Sequence, residues 1–433
     1  GLVVTGSDIH ENANVDHLIA QGIPVTLGHR PENIRGADLV IRTAAVHDDN
    51  PEIQAAHTAG IPVFERAQAW GAIMMDYRHA VCVSGTHGKT TTTSMCAHIA
   101  MAAGTDPTIM IGGNLPLLGA GYRVGNGDTI ILESCEYCNS FLSFRPTTAV
   151  ILDIEEDHLD FFKDLADIEH SFRTFANLVP ENGIVIANAD DRNTMDTLDG
   201  IDRPFITFGL GNYADIYCSE PVWEKGLPTF DLYQGERFVC TISLTIPGLH
   251  NVKNALAAAA TALHMGIDPK FIAQGLNSYH GAERRFEYKG ELNGAKIYDD
   301  YAHHPGEIHV LLQTAKSLGY QRVICAFQPH TYSRTKALFD DFVQELQLAD
   351  LTLLAEIYPA REVNTIGISS KDLAAKIPNA EYYPTFAELE ARLRQLARPG
   401  DLILTVGAGE LDQVSNALVK KTTKNECNSS AQI

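Results

Sequence analysis

Short apolar runs separated by helical patterns open the chain: residues 2–5, running into Gly6-Ser7-Asp8, then 23–27, 37–41 and 61–64. Buried strands at such spacing predict βαβ units on a parallel sheet. Asp8 closes the first run. In a dinucleotide-type domain an acid of this kind ends the second strand, roughly 20 residues after a glycine-rich turn. Nothing stands before it here, so a first domain without its first strand and glycine loop is expected.

A second block begins near His79. Residues 80–84 read as a strand, followed at once by a glycine turn and a helix from Thr90 to about residue 103. Further buried strands are expected at 128–133, 148–152 and 183–188, and antiparallel hairpins from about 205 to 246. Residues 250–265 are alanine-rich and strongly helical. A third block holds strands at 295–299, 322–327, 351–354 and 401–406, the last entering a glycine turn. From Lys420 the chain is polar without apolar periodicity, and a disordered tail is expected. The fold class is α/β in three domains: a Rossmann-like first (1–78), a central phosphate-loop domain with parallel sheet and hairpins (79–282), and a Rossmann-like third (283–419), followed by the tail 420–433.

Composition narrows the function. Of 433 residues, 45% are hydrophobic and 20% charged, which excludes disorder as the main state. Acidic residues outnumber basic ones 54 to 33, a net charge of −21, so nucleic acid and anionic membranes are poor partners. A phosphate-bearing ligand must then be held by a local pocket or a metal ion. No apolar run is long enough to cross a membrane and no leader is visible, so a cytoplasmic protein is expected. Among the eight cysteines only Cys135 and Cys138 form a CxxC, with no second pair to complete a zinc site. Reduced thiols are the expectation.

The strongest local signal is Gly85-Thr86-His87-Gly88-Lys89-Thr90-Thr91, between a strand and a helix. Such a turn closes backbone N–H groups around phosphate oxygens at the positive end of a helix. Lys89 would reach the β- and γ-phosphates and Thr90 would ligate Mg²⁺. The full pattern wants glycine where Val83 stands, so this is a shortened form. Glu133 closes a buried strand and suits Mg²⁺, which prefers oxygen ligands. His158, within Asp157-His158-Leu159-Asp160, would ligate a metal or orient a nucleophile. His250-Asn251-Val252-Lys253-Asn254 opens the alanine-rich helix, either facing a base edge or capping the helix. Asp299-Asp300-Tyr301-Ala302-His303-His304-Pro305 ends a strand of the third block. Arg284-Arg285-Phe286 and residues 328–335, with Tyr332 and Arg334, supply cations and donors for an acidic substrate.

Together these segments resemble the ATP-dependent Mur ligases, in family order from Gly6 to about Leu418. The double-histidine segment and Gln328-Pro329-His330-Thr331-Tyr332-Ser333-Arg334-Thr335 resemble the alanine-adding branch. The resemblance implies that ATP converts the lactyl carboxylate of UDP-N-acetylmuramate to an acyl phosphate, which the L-alanine amine attacks. It implies that Gly85 to Thr91 cradle the ATP phosphates, that Thr90, Glu133 and His158 hold Mg²⁺, and that Asn251 and Asn254 contact adenine. Arg285 and Asp300 are implied to reach phosphate and ribose from the third domain, with Lys89, His158, Arg285 and His304 catalytic. His304, Tyr332 and Arg334 would face the substrates. A monomer or weak homodimer is expected. A sister ligase attaching a preformed tripeptide, and an ATP-binding scaffold without turnover, are the alternatives. Thr331 stands where many members have arginine, and Cys135 and Cys138 lie where Asp and Ser are more usual.

Overall fold

Three groups of strands organise the chain in the structure, a computed structural model describing residues 1–43, 45–159 and 161–429. The first group is sparse. Strand β1 (Gly6–Asp8) pairs in parallel with β2 (Val25–Leu27), and β3 (Val40–Arg42) with β4 (Val63–Glu65), as two separate two-stranded sheets. The strand expected at 2–5 begins instead at Gly6, where register with Val25 starts. Glu52, on the helix Pro51–Ala59, ties this region together. It accepts hydrogen bonds from the Ser7 hydroxyl (2.7 Å) and the Asn33 amide (2.5 Å).

The second group is an eleven-stranded sheet. It contains β5 (His79–Ser84), β6 (Thr108–Leu115), β7 (Ala120–Arg123), β8 (Thr129–Glu133), β9 (Thr148–Ile151) and β10 (Ile184–Asn188). β11 (Phe205–Gly209), β12 (Ile216–Cys218), β13 (Val222–Glu224), β14 (Leu227–Gln234) and β15 (Arg237–Ser243) complete it. β5 lies between β8 and β9, parallel to both. Antiparallel pairing is confined to the rims, β6 with β7 and β12 through β15.

Both faces of this sheet are covered, as a parallel sheet requires. Val81 and Val83 of β5 pack beneath the helices Lys89–Ala102 and Leu249–His264, while the alternate residues Ala80 and Cys82 pack on Phe141, Phe172 and Phe175. The alanine run works by smallness. Ala255 and Ala257 through Ala260 are all fully buried, so the helix backbone lies close to its neighbours. Gly275, on the helix Pro269–Asn277, has the same role, since a Cβ there would meet the Ile99 backbone at 2.6 Å.

The third group is a six-stranded sheet ordered β16-β17-β21-β18-β19-β20, formed by Glu287–Leu292, Ala295–Asp300, Asp401–Val406, Arg322–Phe327, Leu351–Ala355 and Ala380–Tyr383. Only β16 runs antiparallel. The last helix spans Asp412–Ser429, where the sequence reading placed a disordered tail from Lys420. No Gly or Pro interrupts residues 412–429, so nothing in the sequence stops the helix there. Residues 430–433 lie outside those described.

Candidate active site

Parallel strands deliver their C-terminal ends to one side of a sheet, where ligands bind. β5, β8 and β9 do so here, and β17 ends opposite them. Between them lies a cavity of about 850 Å³, lined from the central sheet by Lys89, Glu133 and Asn254 and from the third by Arg285, Asp300 and His303.

The glycine turn fits only glycine at two places. Gly85 has φ +147°, and a Cβ there would meet Leu152 Cβ at 2.8 Å; Gly88 has φ +79°, and a Cβ would meet Asn254 Oδ1 at 2.5 Å. The segment after β9 braces the loop. Asp153 accepts the His87 N–H at Oδ1 (2.8 Å), and Thr86 Oγ1 accepts the Glu155 N–H (2.9 Å). Burial pushes the Asp153 carboxyl up to about 6. Lys89 Nζ donates to the carbonyls of Gly85 (2.5 Å) and Thr86 (3.0 Å) and to Glu136 Oε1 (3.1 Å). Burial works against its charge, but Glu136 and its neighbours keep the ammonium raised above its ordinary value.

Thr90 Oγ1 donates to Glu133 Oε1 (3.0 Å), while Glu133 Oε2 accepts the Gly112 N–H (2.7 Å). A hydroxyl and a carboxylate thus stand beside Lys89, a donor set of hard oxygens. His158, expected with them, lines the same cavity. Its Nε2 lies 3.6 Å from Glu136 and 3.8 Å from Asp157, and its ring lies 4.6 Å from that of Tyr137.

Asn251 and Asn254 line the cavity. The Asn251 amide donates to the Pro247 carbonyl (2.6 Å) and that of Asn254 to Asn251 Oδ1 (3.3 Å). Across the cavity, Asp300 accepts the N–H groups of Phe286 (2.7 Å) and Ala302 (2.8 Å), and burial pushes its carboxyl up to about 6. Arg285 is held charged against its burial by Glu307, Asp300 and Glu133. His304 caps the helix Pro305–Ser317, and Glu307 in that helix's first turn accepts the N–H groups of His303 (2.9 Å) and His304 (3.2 Å). Burial lowers both imidazoles and takes His330 down to about 4, so all three favour the neutral form. Arg334 Nη2 lies 3.8 Å from Asp157 Oδ1. Tyr332 opens the short helix Tyr332–Ala337 and is not among the cavity-lining residues. Asp160 lies outside the described residues.

Three carboxylates were not singled out as site groups from sequence: Glu136, Glu155 and Glu307. His87 Nε2 lies 3.2 Å from Glu155, and its Nδ1 lies 3.7 Å from Glu307 of the third sheet's helix. Burial opposes the imidazolium, yet these two acids raise it well above the ordinary value. The glycine loop is thereby joined to the third group of elements through a charged histidine. The Glu-x-x-Glu from Glu133 and the capping position of Glu307 were the available signals.

Three family models match in order: "Mur ligase family, catalytic domain" over residues 1–78, "Mur ligase middle domain" over 83–262 and "Mur ligase, glutamate ligase domain" over 284–409. The chain is 45% identical over 427 residues to the UDP-N-acetylmuramate–L-alanine ligase of Agathobacter rectalis, covering 97% of this chain and 93% of the relative. It is 43% identical to that of Clostridium novyi, covering 97% and 92%. Among solved structures, the UDP-N-acetylmuramate–alanine ligase of Thermotoga maritima superposes with a TM-score of 0.81 at 28% identity, covering 98% of this chain and 94% of that one. A murein peptide ligase from Psychrobacter arcticus gives 0.70 at 25% identity, covering 96% and 93%. With the phosphate-type loop, the facing third-domain cluster and these matches along nearly its whole length, the chain belongs to the Mur ligase family.

Proposed function

We propose that this chain joins L-alanine to the lactyl carboxylate of UDP-N-acetylmuramate at the expense of ATP, in the cytoplasm, as a monomer or weak homodimer. The observation that carries the reading is the cavity in which the loop around Lys89 faces Arg285, Asp300 and His303. Relatives at 45% and 43% identity bearing that activity in their names support the choice of substrates.

The reaction is positioning and charge neutralisation. The carboxylate oxygen attacks the γ-phosphorus and ADP leaves; the amine then attacks the acyl carbon, phosphate leaves, and the nitrogen loses a proton. In this assignment Lys89 exchanges its loop carbonyls for phosphate oxygens, and the N–H groups of the glycine turn hold the same oxygens. Arg285 meets the transferring phosphoryl charge from the opposite wall. Thr90 and Glu133 fit Mg²⁺ by their oxygen donors, and the bound ion would neutralise phosphate charge. His304, kept neutral by burial, is the group we assign to receive the amine proton.

The test is phosphate release from Mg-ATP and UDP-N-acetylmuramate with L-alanine, with a cell-wall tripeptide, or with no acceptor. Release that depends on L-alanine is expected. Release only with the tripeptide would move the chain to the peptide-adding branch, and nucleotide binding without release would mark a scaffold.

A further inference from the structure

The hairpin of β13 and β14 carries no residue assigned to the ligase chemistry, yet its tip bears on the third group of elements. We propose that this tip is a stop. By bearing on Leu318 it sets how closely the helix Pro305–Ser317 lies against the central group, and so fixes the width of the cavity at the end that holds the nucleotide's base. Gly226 and Leu318 are then positioning residues, and the inference rests on the nucleotide reading of the cavity.

The turn is built for close approach. Glu224 of β13 pairs with Leu227 of β14, so only Lys225 and Gly226 join the strands, both left-handed (φ 50° and 79°). A two-residue turn with positive φ at both positions matches the twist of its strands, so the tip follows the sheet instead of swinging as a loop. Gly226 has a second reason to be glycine. A Cβ there would overlap Leu318 Cδ2 and lie 3.5 Å from its Cγ and 3.7 Å from its Cα. Leu318 is the C-terminal cap of the helix Pro305–Ser317. A hairpin of the central sheet thus touches the end of a helix of the third group.

That helix meets the central group at two other points. In its first turn Glu307 Oε1 lies 3.7 Å from His87 Nδ1. Further along, a Cβ at Gly248 would stand 3.2 Å from Thr314 Oγ1, tighter than ordinary van der Waals contact. Val310, Leu311 and Thr314 line the cavity together with His250 and Asn251 of the helix Leu249–His264. From Glu307 to Leu318 is about 16 Å of helix. With the first turn fixed at His87, roughly two-thirds of any shift at Leu318 is passed on to Thr314. A close-packed contact does not compress, so what the tip adds or removes moves the cavity wall.

Calorimetric binding of Mg-ADP to single-residue variants tests the stop. Gly226→Ala should weaken Mg-ADP about fivefold or more, because the binding width is populated for a smaller fraction of the time. Gly235→Ala is the matched control. Gly235 is also left-handed (φ 55°), lies in the next turn of the same sheet between β14 and β15, and has nothing within 4 Å, so it carries the backbone cost without the overlap. It should bind as the wild-type chain does. Leu318→Ala added to Gly226→Ala removes the overlapping methyl and leaves the 3.7 Å contact with Cα. Affinity should return to within about twofold of wild type, as expected for two residues in direct contact. Weakening no greater than in Gly235→Ala, or weakening that Leu318→Ala does not relieve, overturns the proposal. Amide exchange over residues 311–318, read by mass spectrometry, needs no ligand: faster exchange in Gly226→Ala than in Gly235→Ala is expected, and equal exchange overturns the stop. A wild-type chain that does not bind Mg-ADP would overturn the nucleotide reading and with it the base-end role, while the exchange comparison still decides whether the hairpin seats the helix.

Discussion

Lys89 has three protons to donate, and the structure places all three, two on its own loop and one on Glu136. Removing the side chain therefore does two things. Lys89→Ala takes away the cation expected on the phosphates, lowering phosphate release about 10²–10³-fold. It also leaves Glu136 buried without its counter-charge, which costs about 3–5 kcal/mol of stability. The two effects separate in Lys89→Ala/Glu136→Gln, where urea unfolding should show most of the stability restored while phosphate release stays low. Equal stability of the single and double variants would contradict the pairing. Residues 85–91 were legible in the sequence because the loop is contiguous and its chemistry is local. Glu136 was not, because its partner Lys89 is 47 positions away and only the parallel pairing of β5 with β8 brings them together. His158 illustrates the same limit: its type suggested a ligand, but its approach to Glu136, 22 positions away, could not be read from the sequence.

At the scale of elements, the apolar runs of β5, β8, β9, β10, β18, β19 and β21 could be read directly, since strands buried on both faces leave few polar positions to confuse the pattern. Three strands at or next to the sheet edges could not. β6 contains Gly112-Gly113, β7 is half-buried throughout, and β20 is four half-buried residues, so each has a pattern indistinguishable from a loop. Contacts between helices were equally hidden. The helix Pro269–Asn277 rests on the Lys89–Ala102 helix through Gly275, against the Ile99 backbone. Gly275→Ala should force these helices apart and cost about 1–3 kcal/mol, read as a lower urea midpoint. An unchanged midpoint would mean that the contact is looser than its 2.6 Å approach indicates.

Over the whole molecule, the central and third sheets meet at His87, Glu155 and Glu307. Burial opposes both charges, but the pairing raises His87 and depresses Glu307. The histidine's contribution is complete below its unfolded value of about 6.5 and is lost as pH rises through the higher folded value. That of Glu307 is complete above about 4.5 and is lost as pH falls through its depressed value. The junction is therefore strongest between those limits. Small-angle scattering should show the molecule expanding as pH climbs past the raised His87 value, and His87→Asn should abolish that expansion. The same profile in both proteins would remove His87 from the junction.

The opposite extreme of cohesion lies in the first 78 residues. β1 through β4 are three residues each, in pairs, while β5 from Ala80 to Ser84 is entirely buried. Amide protons in such short pairs exchange through local openings that cost little, whereas those of β5 wait for global unfolding.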